Sequence, residues 1–432
     1  MNIKDRIQKE AVNAWYLADC KASIEFATGV GKTRVGVLAA GWVVKQKPKA
    51  RVLIITPTQT IRDLAWAEEF VKWGANDIFD YNVECLCIQS AYKLVGEHYD
   101  MVICDEIHNF LYPEDAEEYE YFKFFENNTY DKILGLSATI DKSLLKCLDT
   151  IAPIVMSIDT NKALDLGLVS PFKIYNIPVD MTIEERLEYS KQDKEFKATF
   201  EVFDNNLNTM FACLKNKVTF RGHLVRRYHV NASDRNACDD IFNKYKSYAV
   251  RCNAAMRKRK SIIYDSEAKL SAIESIIKMF GKHYGVIFNQ TADFADRVGE
   301  LIGDTCIVEH SKIKPKKKRV DNLNKFKDGR SKVCHISTVK SLNEGANLPR
   351  VDFIIIASGT SKLRDFTQRA GRSIRLEDGK EAMIVRLYVN DSQEEKWVAS
   401  SQEGYKVIVL NEYKELESYV RTRDEELSRD DD

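Results

Sequence analysis

Short apolar runs alternate with polar, helix-compatible stretches along the first part of the chain: ASIEF, RVLIIT, VECLCI, YDMVIC and KILGLS. Continuous apolar runs of this length read as strands buried on both faces, and their alternation with helical patterns reads as a parallel sheet wrapped by helices. A second series begins near residue 284 with YGVIFN, TCIVEH, SKVCHIS, VDFIIIAS and AMIVRLYV. Between the two, helix-compatible segments such as EERLEYSKQDKEFKATFEVFDNN and SEAKLSAIESIIKMF replace the β-rich runs. The pattern predicts an α/β protein with two doubly wound parallel-sheet domains. The first spans residues 1–168, the second spans 169–411 with a helical insertion at about 183–280, and an acidic tail follows at 412–432.

Composition narrows the class. The 432 residues are 44% hydrophobic and 30% charged, with 8 Pro and 19 Gly, which excludes collagen-like, low-complexity and largely disordered chains. The start MNIKDRIQKE offers no apolar segment behind a basic one, and no apolar stretch approaches the ~18 residues of a membrane span. Ten cysteines are scattered from Cys20 to Cys334 without a CxxC pair, as in a reducing compartment. The expectation is a cytoplasmic protein with no membrane partner.

Charge is balanced overall, 65 Lys and Arg against 65 Asp and Glu, but it is unevenly spread. From Lys215 to Lys260 stand thirteen basic residues and three acidic ones, a local net charge of +10. The end, RTRDEELSRDDD, reads as a solvated acidic terminus.

Candidate chemistry begins where the first apolar run ends. Ala27-Thr28-Gly29-Val30-Gly31-Lys32-Thr33 leads into the helical pattern TRVGVLAAGWVV. Glycines at a strand-to-helix turn let backbone N–H groups face a phosphate chain, a lysine reaches the β and γ phosphates, and a threonine hydroxyl suits Mg²⁺. The strict phosphate-loop pattern wants glycine at position 26, where this chain has Phe26, so a glycine-bearing turn with an incidental lysine stays open on this segment alone. After YDMVIC come Asp105-Glu106-Ile107-His108. An acidic pair at a strand's carboxyl end supplies one carboxylate for a magnesium shell and one to orient or deprotonate the attacking water. A polar strand end is the alternative, and the two motifs in this order favour nucleotide hydrolysis.

With these residues in view, nearly the whole chain resembles superfamily 2 helicases and translocases of the DExH type, including compact bacterial or bacteriophage DNA helicases and restriction-enzyme motor subunits. That family's loop commonly reads ATGxGKT after a non-glycine residue, as here. Ser137-Ala138-Thr139 matches its SAT motif, thought to couple hydrolysis to nucleic-acid handling, and Gln368-Arg369-Ala370-Gly371-Arg372-Ser373-Ile374-Arg375 matches its QRxGRxxR motif. Arginines three apart share a helix face, so the resemblance implies Arg372 and Arg375 pointing across a cleft at the γ-phosphate.

The resemblance further implies two RecA-like domains, ATP and Mg²⁺ as cofactors, and roles for several other residues. Gln8 would read adenine, and Gly345 would lie beside the nucleotide. His108 and Gln368 would bridge the cleft. Pro57, Thr58 and Arg62, together with Trp66, would grip the phosphates of a strand, joined by Gln89, Ser90, Ser337, Thr338 and Asn347. Asn347 replaces the Asp of many relatives.

The basic segment fits as an auxiliary grip through Arg257, Lys258, Arg259 and Lys260, while its Phe220, Tyr228, Phe242, Tyr245 and Tyr248 are expected mainly as core. Pro315 to Val320 reads as a basic helix start rather than an import signal. DEIH and QRAGR favour DNA, single-stranded, duplex or branched, over RNA. An RNA helicase and a nucleotide-gated clamp are the alternatives. A loading or replication/recombination protein is a possible partner, and one chain holding every motif suits a monomer.

Overall fold

The computed structural model describes residues 2–57, 65–113, 119–169, 171–215, 222, 229, 231, 233–314, 316–328, 331–339, 351–358, 381–400 and 406–430. Among them, six strands form the first sheet: β1 (Lys21–Phe26), β2 (Val52–Thr56), β3 (Val83–Cys87), β4 (His98–Asp105), β5 (Thr129–Ser137) and β6 (Ile154–Ile158). Their order is β3-β2-β4-β5-β1-β6 and every pairing is parallel.

Successive side chains leave opposite faces of a strand, so the unbroken apolar runs feed two cores at once. Val52 and Ile54 of β2 with Met101 and Ile103 of β4 pack beneath the helices Ile3–Leu17 and Lys32–Gln46. Leu53, Ile55, Val102 and Cys104 face the other way, toward Phe110 and Phe124. The edge strand β6 is not among the runs that the sequence made conspicuous, because its residues are mostly half-buried.

The second sheet contains β7 (Phe172–Val179), β8 (Gly285–Phe288), β9 (Cys306–Glu309), β10 (His335–Thr338), β11 (Phe353–Ile356), β12 (Ala382–Val389) and β13 (Val407–Val409). It is also parallel throughout, in the order β13-β7-β12-β11-β8-β10-β9. Strand β7 precedes the helical segment in sequence yet pairs with β12, so the helices enter between strands of one sheet.

The helical segment divides in two. Helices Ile183–Glu201, Leu207–Lys215 and Arg235–Tyr264 gather a small core of Phe203, Met210, Cys213, Phe242, Ala249 and Cys252. Helix Glu267–Phe280, expected as the end of the insertion, instead packs Ala272, Ile273, Ile276 and Phe280 on the second sheet. Apolar spacing at three and four residues places that stripe on one helix face. Glu185 serves both starts: it completes the capping box of Thr182, and its Oε1 accepts from the Glu267 N–H at 2.8 Å. The basic stretch after Pro315 begins the helix Lys316–Asp328.

The acidic end is not a solvated tail. It forms the helix Leu416–Asp430, with Leu416, Val420 and Arg423 buried against the second sheet. Apolar residues four apart give it a face to bury despite its charge. His283 fixes the helix, its Nε2 lying 3.2 Å from Asp424 Oδ1 and its Nδ1 3.7 Å from Asp352 Oδ2. The hydrogen bond to Asp352 raises the His283 pKa above the ordinary value, against the opposing effect of burial. A raised folded-state pKa contributes stability that is complete below the unfolded value of about 6.5 and is lost as pH rises through the folded one. Protection of residues 416–430 in hydrogen exchange, corrected for intrinsic rates, should therefore fall as pH rises above about 6.5. His283→Asn should flatten that dependence, and an unchanged pH profile in the variant would count against this anchor.

Candidate active site

Strand β5 lies between β1 and β4, pairing Ile24 with Leu136 on one side and Leu136 with Asp105 on the other. Because the three strands are parallel, the turns that follow them leave the same edge. Those turns carry Ala27 to Gly31, Glu106 to His108, and Ala138 with Thr139. Open parallel α/β sheets bind ligands outside their strands' carboxyl ends.

The loop after β1 has the backbone that a phosphate cradle needs. Gly29 and Gly31 sit at φ +92° and +102°, and a Cβ on Gly31 would meet the Gln8 Nε2 at 2.1 Å. Only glycine fits there. Lys32 opens the following helix and its Nζ donates to the Phe26 carbonyl at 2.9 Å. Phe26, the departure from the strict pattern, is itself wholly buried and contributes a backbone carbonyl. Thr28 and Thr33 are half-buried, and Val30 is buried.

Gln8 is 2% exposed, with its Nε2 donating to the Val30 carbonyl at 2.8 Å and its Oε1 accepting from Arg34 at 2.7 Å. The Arg34 guanidinium also pairs with Asp5 and stacks 3.7 Å over the Trp73 ring. Sequence reasoning missed Arg34, although its place directly after Thr33 marks it in retrospect.

Glu106 is buried in the left-handed region at φ +53° and ψ +56°, a conformation that costs a non-glycine residue about 1–3 kcal/mol and often marks a functional turn. Its Oε2 accepts from the Ala138 N–H at 3.4 Å and lies 3.3 Å from the Ser137 hydroxyl. His108, also buried, brings its Nδ1 to 2.8 Å from the same hydroxyl and 3.4 Å from Glu106. The Ser137 hydroxyl lies 3.0 Å from the Thr139 carbonyl as well. DEIH and SAT therefore meet in one hydrogen-bonded cluster. His108, expected to reach toward Gln368, makes these bonds within the first sheet's own edge. Glu25 on β1, also missed, accepts from the Ile140 N–H at 2.8 Å and the Ser157 hydroxyl at 2.7 Å, tying the segment after Thr139 to β6.

On the candidate strand track, the Pro57 carbonyl accepts from Gln89 at 3.5 Å, and Gln89 and Ser90 are exposed on the short helix Ile88–Ala91. Trp66 is not on that track. It is wholly buried and its Nε1 donates to Asp105 Oδ2 at 3.2 Å. Thr58, Arg62, Gly345, Asn347, Gln368, Arg372 and Arg375 lie outside the described residues.

Two further expectations are corrected. Ser337 and Thr338 do not face a strand: β10 runs between β8 and β9, and both residues are fully buried. Ser337 donates to the Ala295 carbonyl at 2.7 Å, and Thr338 Oγ1 lies 2.9 Å from the Glu309 carbonyl. In the basic segment, Arg259 is buried in an ion pair with Asp193, donates to Gln393 at 2.7 Å and lies 4.1 Å from the Phe196 ring centroid. It braces the helical unit and is not a surface grip. Lys260 is half-buried beside Trp397, and burial lowers its pKa, with Arg259 adding to the effect. Arg257 and Lys258 are exposed, while Phe242, Tyr245 and Tyr248 pack into the helical core.

Residues 4–142 match the family described as type III restriction enzyme, res subunit, and residues 268–377 match the helicase conserved C-terminal domain. These matches cover both halves of the motif set in the order the site requires. The chain belongs to the superfamily 2 helicases and translocases. It is an ATP-hydrolysing enzyme with two RecA-like sheets. It is 25% identical over 406 residues to the DNA 3'-5' translocase XPB2 of Sulfurisphaera tokodaii, covering 89% of this chain and 82% of that one. Its fold is shared with Saccharomyces cerevisiae Dbp5, solved with RNA and ADP-BeF3, at a TM-score of 0.59 and 14% identity over 96% of this chain and 92% of that one. The Pyrococcus furiosus Hef helicase domain gives 0.51 and 14% over 93% and 98%. No helix among the described residues is long and apolar enough to cross a membrane.

The hydroxyl of Ser137 is the junction of this helicase's cluster. Ser137→Ala removes its bonds to His108 and Glu106, worth about 1–2 kcal/mol together, and should lower kcat for ATP about tenfold with KM little changed. Steady-state kinetics check this, and a wild-type kcat would mean that the cluster does not set the position of Glu106.

Proposed function

We propose that this chain is a DNA motor that converts ATP hydrolysis between its two RecA-like domains into movement along, and remodelling of, DNA. The observation that carries the reading is the common edge on which β1, β5 and β4 deliver Lys32, Ser137 and the Asp105-Glu106 pair. The DEIH and QRAGR forms and the likeness to a DNA translocase favour DNA. The fold shared with an RNA-bound structure keeps RNA as the second reading.

On this reading Lys32 leaves the Phe26 carbonyl for the β and γ phosphates, while the N–H groups of Thr28 to Thr33 cradle them. Gln8, held by Arg34, meets the adenine, and Gly345 lies beside the nucleotide. The Thr33 hydroxyl and the Asp105 carboxylate are hard oxygen donors that fit Mg²⁺. When bound, the ion neutralises phosphate charge. Glu106 orients or deprotonates the attacking water, and Gln368, Arg372 and Arg375 complete the site from the second domain. Ala138, Ser137, Thr139 and His108 relay the state of Glu106.

Pro57, Thr58, Arg62, Gln89, Ser90 and Asn347 carry the strand's phosphates, which supply affinity without sequence information. Arg257 and Lys258 extend the grip on the helical unit. One chain supplies a full ATP site, so a monomer suffices.

Steady-state ATPase with single-stranded, duplex and branched DNA and with single-stranded and duplex RNA tests the reading. DNA should stimulate most, and stimulation by RNA alone would transfer the assignment to RNA. Lys32→Ala and Glu106→Gln should each abolish turnover while leaving the fold intact. Substituting Arg257 and Lys258 together by glutamine should weaken DNA binding and reduce the slope of log K against log salt by about 1–2. An unchanged slope removes them from the interface.

A further inference from the structure

Trp66 stands between three parts of the first domain. It is the first residue of helix Trp66–Lys72, at the end of the segment that begins with Pro57. Its ring presses on the phosphate-loop helix: a Cβ added at Gly36 would lie 2.5 Å from its Cη2 and 2.9 Å from its Cζ3. The ring also lies beside Phe70, with centroids 6.3 Å apart. Its only polar atom, the indole N–H, donates to Asp105 Oδ2 at 3.2 Å. The side chain is completely buried.

Each contact limits what the residue can do. An indole N–H is a donor with no lone pair to offer. Toward Asp105 it can therefore orient the carboxylate without competing as a metal ligand or taking its proton. The close fit over Gly36 leaves the ring little freedom to slide along Lys32–Gln46, so a displacement of helix Trp66–Lys72 has one polar outlet, the Asp105 oxygen. Packed interiors transmit such displacements because they do not deform continuously.

We propose that Trp66 is a positioning residue that fixes the rotamer of the magnesium-holding Asp105 and transmits to that carboxylate the displacement of helix Trp66–Lys72 on DNA binding. The first half of the proposal rests on the magnesium assignment of Asp105 made above, and the second half on the DNA-motor reading. Partners that orient a ligating carboxylate commonly change metal affinity or activity 10–100-fold when removed.

Trp66→Phe retains an aromatic ring against Gly36 and deletes the N–H. The Mg²⁺ concentration for half-maximal hydrolysis should rise by about 10–100-fold, with KM for ATP at saturating Mg²⁺ unchanged. Binding of Mn²⁺ together with a non-hydrolysable ATP analogue, followed by electron paramagnetic resonance without turnover, should weaken by a similar factor. The ratio of DNA-stimulated to basal hydrolysis should fall toward one, while DNA affinity by fluorescence anisotropy stays at the wild-type value.

Wild-type Mn²⁺ binding and Mg²⁺ dependence in the variant would overturn the positioning role. A shifted metal dependence with full DNA stimulation would overturn the relay. If Trp66→Phe fails to fold, site-specific replacement of Trp66 by benzothienylalanine, with sulfur in place of N–H, makes the same comparison with the ring shape preserved. Loss of the motor reading is separately visible as an unaltered protein that no nucleic acid stimulates; that result overturns the relay with it, and the Mn²⁺ comparison still decides the positioning role.

Discussion

The parallel pairing of β5 between β1 and β4 is the constraint on which the site depends. Parallel strands need a crossover for every return, so each strand's carboxyl end opens on the same edge and each crossover begins there. Three motifs that lie far apart in sequence thereby become neighbours. An antiparallel β5 would place Ser137 at the opposite edge from Lys32 and Asp105. The apolar runs buried on both faces of these strands are thus as necessary to the candidate site as the charged residues at their ends.

On that edge, backbone strain and hydrogen bonding act together. Glu106 is held in the left-handed region, and its oxygen is met by the Ala138 N–H and the Ser137 hydroxyl, with His108 beside both. A carboxylate placed this way has few alternative rotamers, which is what orienting a water molecule requires. The same bonds make its position sensitive to anything that moves the segment after β5, and Glu25 ties that segment on toward β6. In the proposed site, the Ser137 hydroxyl shared among Glu106, His108 and the Thr139 carbonyl is the route through which the SAT motif would act.

The helical unit is anchored as firmly as the site is poised. Arg259 reaches Asp193 on one helix and Gln393 at the start of helix Gln393–Ser400, and Tyr189 accepts from the Gln393 N–H at 3.0 Å. The next residue, Glu394, forms a fully buried ion pair with Lys269 at 2.6 Å and accepts from the Val389 N–H at 2.9 Å. Burial alone would push the Lys269 ammonium toward neutrality, and Glu394 opposes that. Buried pairs of this kind seldom add much net stability, but losing one partner leaves an uncompensated charge. Arg259 ties the root of the helical unit to helix Gln393–Ser400, while the Lys269–Glu394 pair and the Val389 N–H tie that helix to helix Glu267–Phe280 and the end of β12.

The sequence by itself determined the fold class and the family, and it singled out the candidate ATP-site residues of the first domain, because these depend on local order: apolar runs, glycines at a strand-to-helix turn, an acidic pair at a strand end. It also showed a helical middle rich in positive charge. What it could not reveal was which polar residues face inward. Arg259 reads as one of four equivalent cations, yet Asp193, sixty-six residues away, buries it. Ser337 and Thr338 match a contact motif, but a central strand uses their hydroxyls inside the sheet. Trp66 reads as part of a strand grip and becomes a partner of Asp105. The acidic end folds because His283 and Asp352 wait for it on another element. Local pattern fixes a backbone's periodicity, whereas the environment of a polar side chain is set by partners that only long-range packing brings within about 3 Å.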